Sequence, residues 1–105
     1  MNFVVLHTTT DTEELARRIA DAAVGQHLAA CVQIVPIQSV YRWKGQVESA
    51  SEFRCELKTS TNHSTALRAL IQELHTYDVP EIVEFSIHDA SDDYRSWLTE
   101  QLREN

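Results

Sequence analysis

Two histidines and a glutamate are the side chains of this sequence best suited to chemistry. His7 closes the apolar run Phe3-Val4-Val5-Leu6, His75 follows a helical run ending at Leu74, and Glu81 lies just past the next turn. Imidazole suits copper, zinc or nickel, and a nearby carboxylate can complete such a site. The spacing itself carries no metal signature, since H-x-x-x-H, C-x-x-C and the EF-hand loop are all absent. The competing reading is two ordinary histidines, one at a strand end and one at a helix C-terminus where a protonated imidazole suits the dipole. A second group, Tyr41, Trp43, Glu52 and Lys58, falls on what reads as a long hairpin. Glu52 and Lys58 share a face of a regular strand, either as an interface ion pair or as the lining of a polar cleft. Nothing marks a catalyst: there is no G-x-S-x-G, no P-loop and no dinucleotide fingerprint. No two carboxylates stand out as an acid–base pair. The expectation is a binding protein with no organic cofactor, not an enzyme.

The elements that must position these groups follow from periodicity. Phe3 to Thr8 reads as a strand apolar on both faces, hence central. Thr10-Asp11-Thr12-Glu13 has the pattern of a capping box, and Leu15, Ile19, Ala22 and Ala23 continue as one helical stripe. Ala29 to Trp43 and Gln46 to Thr59 read as two long strands joined by a Lys44-Gly45 turn. Pro36 and Ser49-Ala50-Ser51 are expected to form bulges or bends. Thr61-Asn62 is the expected cap of a second helix carrying Leu67, Leu70, Ile71 and Leu74. Glu81 to His88 reads as the fourth strand, and Ser91 or Asp92 caps a last helix with Tyr94, Trp97, Leu98 and Leu102. The order predicts one α+β domain over residues 1–105. It is a ferredoxin-like βαββαβ sandwich with an antiparallel sheet of order 4-1-3-2, a long hairpin of the second and third strands, helices on one face and a C-terminal helix.

In that topology the end of strand one, the hairpin tip, the end of helix two and the start of strand four share one end of the sheet. His7, Trp43, Lys44, His75, Tyr77, Asp78 and Glu81 gather there. Strands of about thirteen residues reach some 40 Å, whereas a domain of this size has a radius of gyration near 13 Å. The tip therefore overruns its own sheet, carrying Tyr41 and Trp43 with it. An exposed strand edge with aromatics calls for cover by another chain, and closed cyclic assembly of identical copies is the default solution. A two-residue turn at Lys44-Gly45 pairs Trp43 with Gln46 and Cys55 with Ile34. Cys31 is then about 10 Å along the strand from that pair, too far for a disulfide, so both cysteines are expected as free thiols.

The formal charge of −7 argues against a nucleic-acid partner. No stretch approaches the ~20 apolar residues of a membrane span, and Met1-Asn2-Phe3-Val4-Val5 lacks the features of a secretory signal. With free thiols, the expected compartment is the cytoplasm.

Several segments together resemble one family. Leu28-Ala-Ala-Cys31-Val-Gln-Ile-Val-Pro36, Ser39-Val-Tyr41-Arg-Trp43-Lys-Gly45, Ser51-Glu52-Phe53 and Leu57-Lys58-Thr59 are similar to the CutA divalent-cation tolerance proteins. So are His75-Thr-Tyr77-Asp-Val79-Pro80-Glu81-Ile82 and Tyr94 with Trp97-Leu98, in the right order along the whole chain. The resemblance implies a ferredoxin-like subunit in a tight homotrimer whose long hairpins pair between neighbours. It also implies a link to copper and other divalent cations, and a fold shared with trimeric PII-type signalling proteins that bind small ligands between subunits. Two positions depart from the family pattern. His7 stands where some members have Cys, which keeps a copper ligand but lowers the preference for Cu(I). Thr76 stands in a motif that usually reads His-Pro-Tyr, which loosens the chain at His75. Three functions follow as expectations: a metal-responsive homotrimer using His7, His75 and Glu81; a small-ligand sensor using the Tyr41, Trp43, Glu52 and Lys58 cleft; and a structural trimer that anchors a partner.

Overall fold

Alternating apolar residues build the first strand, β1 (Phe3–Thr10), into the middle of the sheet. The computed structural model describes residues 2–102; Met1 and residues 103–105, the ends of the 1–105 span, lie outside the described residues. After β1 come α1 (Glu13–Gly25), β2 (Cys31–Trp43), β3 (Gln46–Ser60), α2 (Ser64–Leu74), β4 (Val83–Ser86) and α3 (Asp92–Gln101). The sheet order is β2-β3-β1-β4, the expected 4-1-3-2 read from the other edge, with every neighbouring pair antiparallel.

Leu6 and Leu57 pair directly across β1 and β3, and both are fully buried. With Val4 and Cys55 they meet Leu15, Ala16, Ile19 and Ala23 of α1 and Leu67, Leu70 and Ile71 of α2. The 3.6-residue stripe of each helix thus covers the face that the two-residue period of β1 makes apolar. The last helix departs from expectation. Phe3 and Ala30 pack with Leu98, Leu102, Ile87 and Tyr94 in a second cluster, and Lys58 Nζ donates to the Tyr94 hydroxyl at 3.2 Å. Phe3 alternates with Val4 and Lys58 with Leu57, so α3 lies on the opposite face from α1 and α2. It covers only one end of that face, leaving Val83 and Phe85 exposed.

The helix caps also differ. Thr12, not Thr10, is the N-cap of α1, its hydroxyl accepting from Leu15 N–H at 3.1 Å. Thr10 stays in β1 and donates its hydroxyl to Thr12 O at 2.7 Å, because pairing with Phe53 holds it extended. His63, not Thr61-Asn62, precedes α2; the chain from β3 turns later, with the Ser60 hydroxyl and His63 Nδ1 2.6 Å apart in the interior. Removing the Thr12 hydroxyl (Thr12→Ala) is expected to cost about 1 kcal/mol. A drop in the urea midpoint with unchanged denaturant slope would check it.

The hairpin follows the expected register throughout. Trp43 faces Gln46, Cys55 faces Ile34 and Cys31 faces Lys58, with each pair one step along an unbroken ladder. Lys44 and Gly45 both have positive φ, +50° and +81°, which is the two-residue turn whose twist matches a hairpin. The bulges expected at Pro36 and Ser49-Ala50-Ser51 are absent from this ladder. Pro36 lies on an edge strand, where a missing N–H need not interrupt pairing. Cys31 and Cys55 are free thiols. Cys55 is sealed in the core, its thiol 3.6 Å from Ala16 O, and burial pushes its pKa up to about 11. It is therefore a residue of the core, closed off from solvent.

Candidate functional site: a cleft under the hairpin arm

β1 pairs with β3 only from Phe53 to Ser60. Beyond that, Gln46–Glu52 is bonded to β2 alone, so a two-stranded arm projects and the molecule measures 45 × 25 × 20 Å. Val40 and Val47, on one face of the arm, are 72% and 66% exposed; Tyr41 and Trp43, on the other, are 44% and 41% exposed.

Where the arm leaves the sheet, the segment after α2 folds against it. His75 fastens that segment. Its Nδ1 accepts from Tyr77 N–H at 3.1 Å and its Nε2 lies 2.8 Å from Thr9 O. An accepting Nδ1 carries no proton, so Nε2–H is the donor to Thr9. The clamp aims Tyr77 at β3, where its hydroxyl donates to Glu52 Oε2 at 2.6 Å. Burial, the hydrogen bond to Glu52 and the charges of Glu52 and Asp11 hold the Tyr77 phenol well above its usual range. Glu52 is only 7% exposed. Around this pair opens a cavity of about 720 Å³, walled by Tyr41 and Trp43 on the arm and by Tyr77, Asp78 and Glu81 on the loop.

The seven residues singled out in the sequence do not form one site. Tyr41, Trp43, Glu52 and Glu81 share the cavity. Lys58 does not join them; it pairs with Val5 and Cys31 at the other end of the sheet and bonds Tyr94. Sharing a face placed Glu52 and Lys58 on one side of β3, but six residues of strand, roughly 20 Å, separate them. His7 lies inside β1, not at its end, opposite Glu56 and against Phe85, whose ring centroid is 4.8 Å away. Its Nε2 is 4.0 Å from Glu56 Oε2, which Arg54 also holds at 3.1 Å. His75 has both nitrogens engaged by backbone, and among the described residues no three His, Cys, Asp or Glu side chains group closely enough to hold a metal ion. Tyr77 is the residue the sequence reading undervalued; its place two residues after His75 was visible, its bond to a glutamate twenty-five residues earlier was not.

The sheet order, the helices on it and the overlong central hairpin define a ferredoxin-like α+β protein with an aromatic and acidic cleft at one end. The CutA1 divalent ion tolerance protein family matches residues 4–101. A divalent-cation tolerance protein CutA of Thermus thermophilus is 45% identical over 101 residues, covering 95% of this chain and 97% of that one. The crystal structure of CutA1 from Oryza sativa superimposes with a TM-score of 0.96 at 35% identity, over 100% of this chain and 97% of that one. The structure of CutA from Synechococcus elongatus gives 0.94 at 39% identity, over 97% and 91%. This chain belongs to the CutA1 divalent ion tolerance family.

Proposed function

We propose that this chain works as a cytoplasmic homotrimer that binds or responds to divalent cations, copper among them, without catalysing a reaction. The observation that carries the assembly is the arm: Gln46–Glu52 offers a strand edge unpaired within the chain, next to exposed Tyr41 and Trp43. A neighbouring copy can satisfy both at once. Val83 and Phe85 on the open sheet face add apolar surface for the same purpose. Free thiols at Cys31 and Cys55 suit a reducing compartment.

Divalent-cation tolerance is the family's description; among the described residues of one protomer no three His, Cys, Asp or Glu side chains group into a metal site. Of the three ligands expected from the sequence, His75 has both ring nitrogens engaged by backbone and Glu81 lines the cavity, while His7 faces the open side of the sheet. In this reading each protomer contributes His7, and neighbouring copies supply the remaining donors. Isothermal titration with Cu(II) tests it. His7→Ala is expected to weaken binding by at least about tenfold, the loss of one good ligand. His75→Ala should bind as before while melting earlier, because the clamp on Thr9 and Tyr77 is gone. Equal affinity of His7→Ala and the unmodified protein would refute the assignment.

The cavity of about 720 Å³ favours a second reading, a small-ligand sensor of PII type. It lies within the usual range of small-molecule sites, and its walls come from the same arm that the assembly would use.

A further inference from the structure

We propose that His75 is a proton-sensitive latch: its neutral ring fastens the segment after α2 to β1 and to the root of the arm, and acid releases the arm. The latch lies within one chain and stands without any assembly; its effect on assembly rests on the trimer reading above.

The sheet itself creates the position. β1 pairs with β4 only as far as His7–Val83. The bond from Ile87 N–H to Phe3 O shows that Phe3, and every second residue after it, turns its carbonyl toward β4. Two residues past the last pair, the Thr9 carbonyl has no strand beside it. The His75 ring takes that place, with Nε2 at 2.8 Å. His75 is also the C-cap of α2, with φ −72° and ψ 146°, so the chain leaves the helix at the residue whose ring is fastened. Nδ1 accepts from Tyr77 N–H at 3.1 Å, and the two rings lie 4.9 Å apart. The Tyr77 hydroxyl donates to Glu52, the first residue of β3 beyond its pairing with β1. One imidazole thus links α2, β1 and the root of the arm.

Those bonds hold for one protonation state. The neutral ring donates at Nε2 and accepts at Nδ1. A second proton turns Nδ1 into a donor that faces the Tyr77 N–H, another donor, and the bond between them is lost. The bond to Thr9 survives, since Nε2–H still donates. What fails is the grip on Tyr77, and with it the aim of the phenol at Glu52.

The charged groups around the ring do not replace that grip. Asp11 after β1, Glu52 on β3 and Tyr41 on β2 act on Tyr77. Asp78 and Glu81 on the loop line the cavity with Thr9, and Glu73 lies in the last turn of α2. Arg54, opposite Thr9, is held by Glu56. Backbone groups, not carboxylates, meet both nitrogens, and among the described residues no ion pair reaches His75. No counter-ion therefore holds a charged ring in the latched geometry.

Between about pH 7.5 and about pH 5.5 imidazoles take up a proton while ordinary carboxyls stay ionised. Nitrogen-15 NMR of the intact protein over that interval is the test, with His75 assigned by its loss in His75→Gln. The upper end should show the Nε2–H tautomer and a Tyr77 amide protected from hydrogen exchange. The lower end should show the doubly protonated ring. There the protection of that amide, corrected for the pH dependence of exchange itself, should fall at least about tenfold. A ring still neutral at the lower end, a ring that gains its proton while the amide keeps its protection, or an Nδ1–H tautomer at the upper end would each overturn the latch. Sedimentation over the same interval reads the consequence. Dissociation of the assembly should rise several-fold in acid, and Tyr77→Phe, which keeps the ring but cuts the bond to Glu52, should blunt that rise. A rise undiminished in both Tyr77→Phe and His75→Gln, where the other histidines remain, would overturn the link from latch to assembly. A protein monomeric at both ends removes the trimer reading instead and leaves the latch to be decided by the NMR result.

Discussion

Tyr41→Ala/Trp43→Ala is expected to convert an assembled protein into monomers without unfolding it. Within one chain the arm has little to hold it: beyond Phe53 it is a two-stranded ribbon, and such ribbons are marginal in water by themselves. Both rings still expose more than two-fifths of their surface. Covering what remains of each is worth roughly 2 kcal/mol at ~25 cal/mol per Å², repeated in every protomer. Losing that from each contact of a symmetric ring shifts dissociation by orders of magnitude. The core has no such dependence, since none of its buried residues lies on the arm. Sedimentation together with circular dichroism reads both effects. A double variant that stays assembled at low micromolar concentration would contradict the role given to the arm.

The second large effect centres on Tyr77. Tyr77→Phe removes the donor to a nearly buried carboxylate and should cost about 1–3 kcal/mol. The effect carries a pH signature. In the fold the phenol titrates well above its ordinary value of 10.0, because of burial first and then the bond to Glu52 and the neighbouring negative charge. A pKa raised on folding stabilises while the unfolded state keeps its proton. The contribution of Tyr77 is therefore complete below about pH 10 and is lost as the pH climbs from there towards the folded value. The gap in urea stability between the unmodified protein and Tyr77→Phe should be widest at neutral pH and should narrow in alkali. A gap independent of pH would mean that packing, not the hydrogen bond, accounts for the loss.

The sheet was legible in the sequence because its determinants are local. One turn, Lys44-Gly45, sets the whole β2–β3 register, which is why the pairing of Cys55 with Ile34 follows from a two-residue loop. The period of β1 and its two apolar faces made it central. What escaped depends on contacts between distant segments. Period alone cannot say on which face α3 packs; that is decided by Phe3, Ala30 and Ile87 meeting Leu98. The expected fourth strand shrinks to Val83–Ser86, since it lies at the edge with only β1 to pair. The candidate site was half visible. Topology brought Trp43, Tyr77, Asp78 and Glu81 to one end, but it could not show His75 spending both nitrogens on backbone. Nor could it show Glu52 turning to Tyr77 and away from Lys58.

Native mass spectrometry at low micromolar chain concentration, with and without stoichiometric Cu(II), tests the central claim most directly. The account predicts a trimer in both conditions, gaining up to one copper ion per chain when the metal is present. A monomer in both conditions would contradict the reading of the arm as an assembly element, and with it the shared metal site.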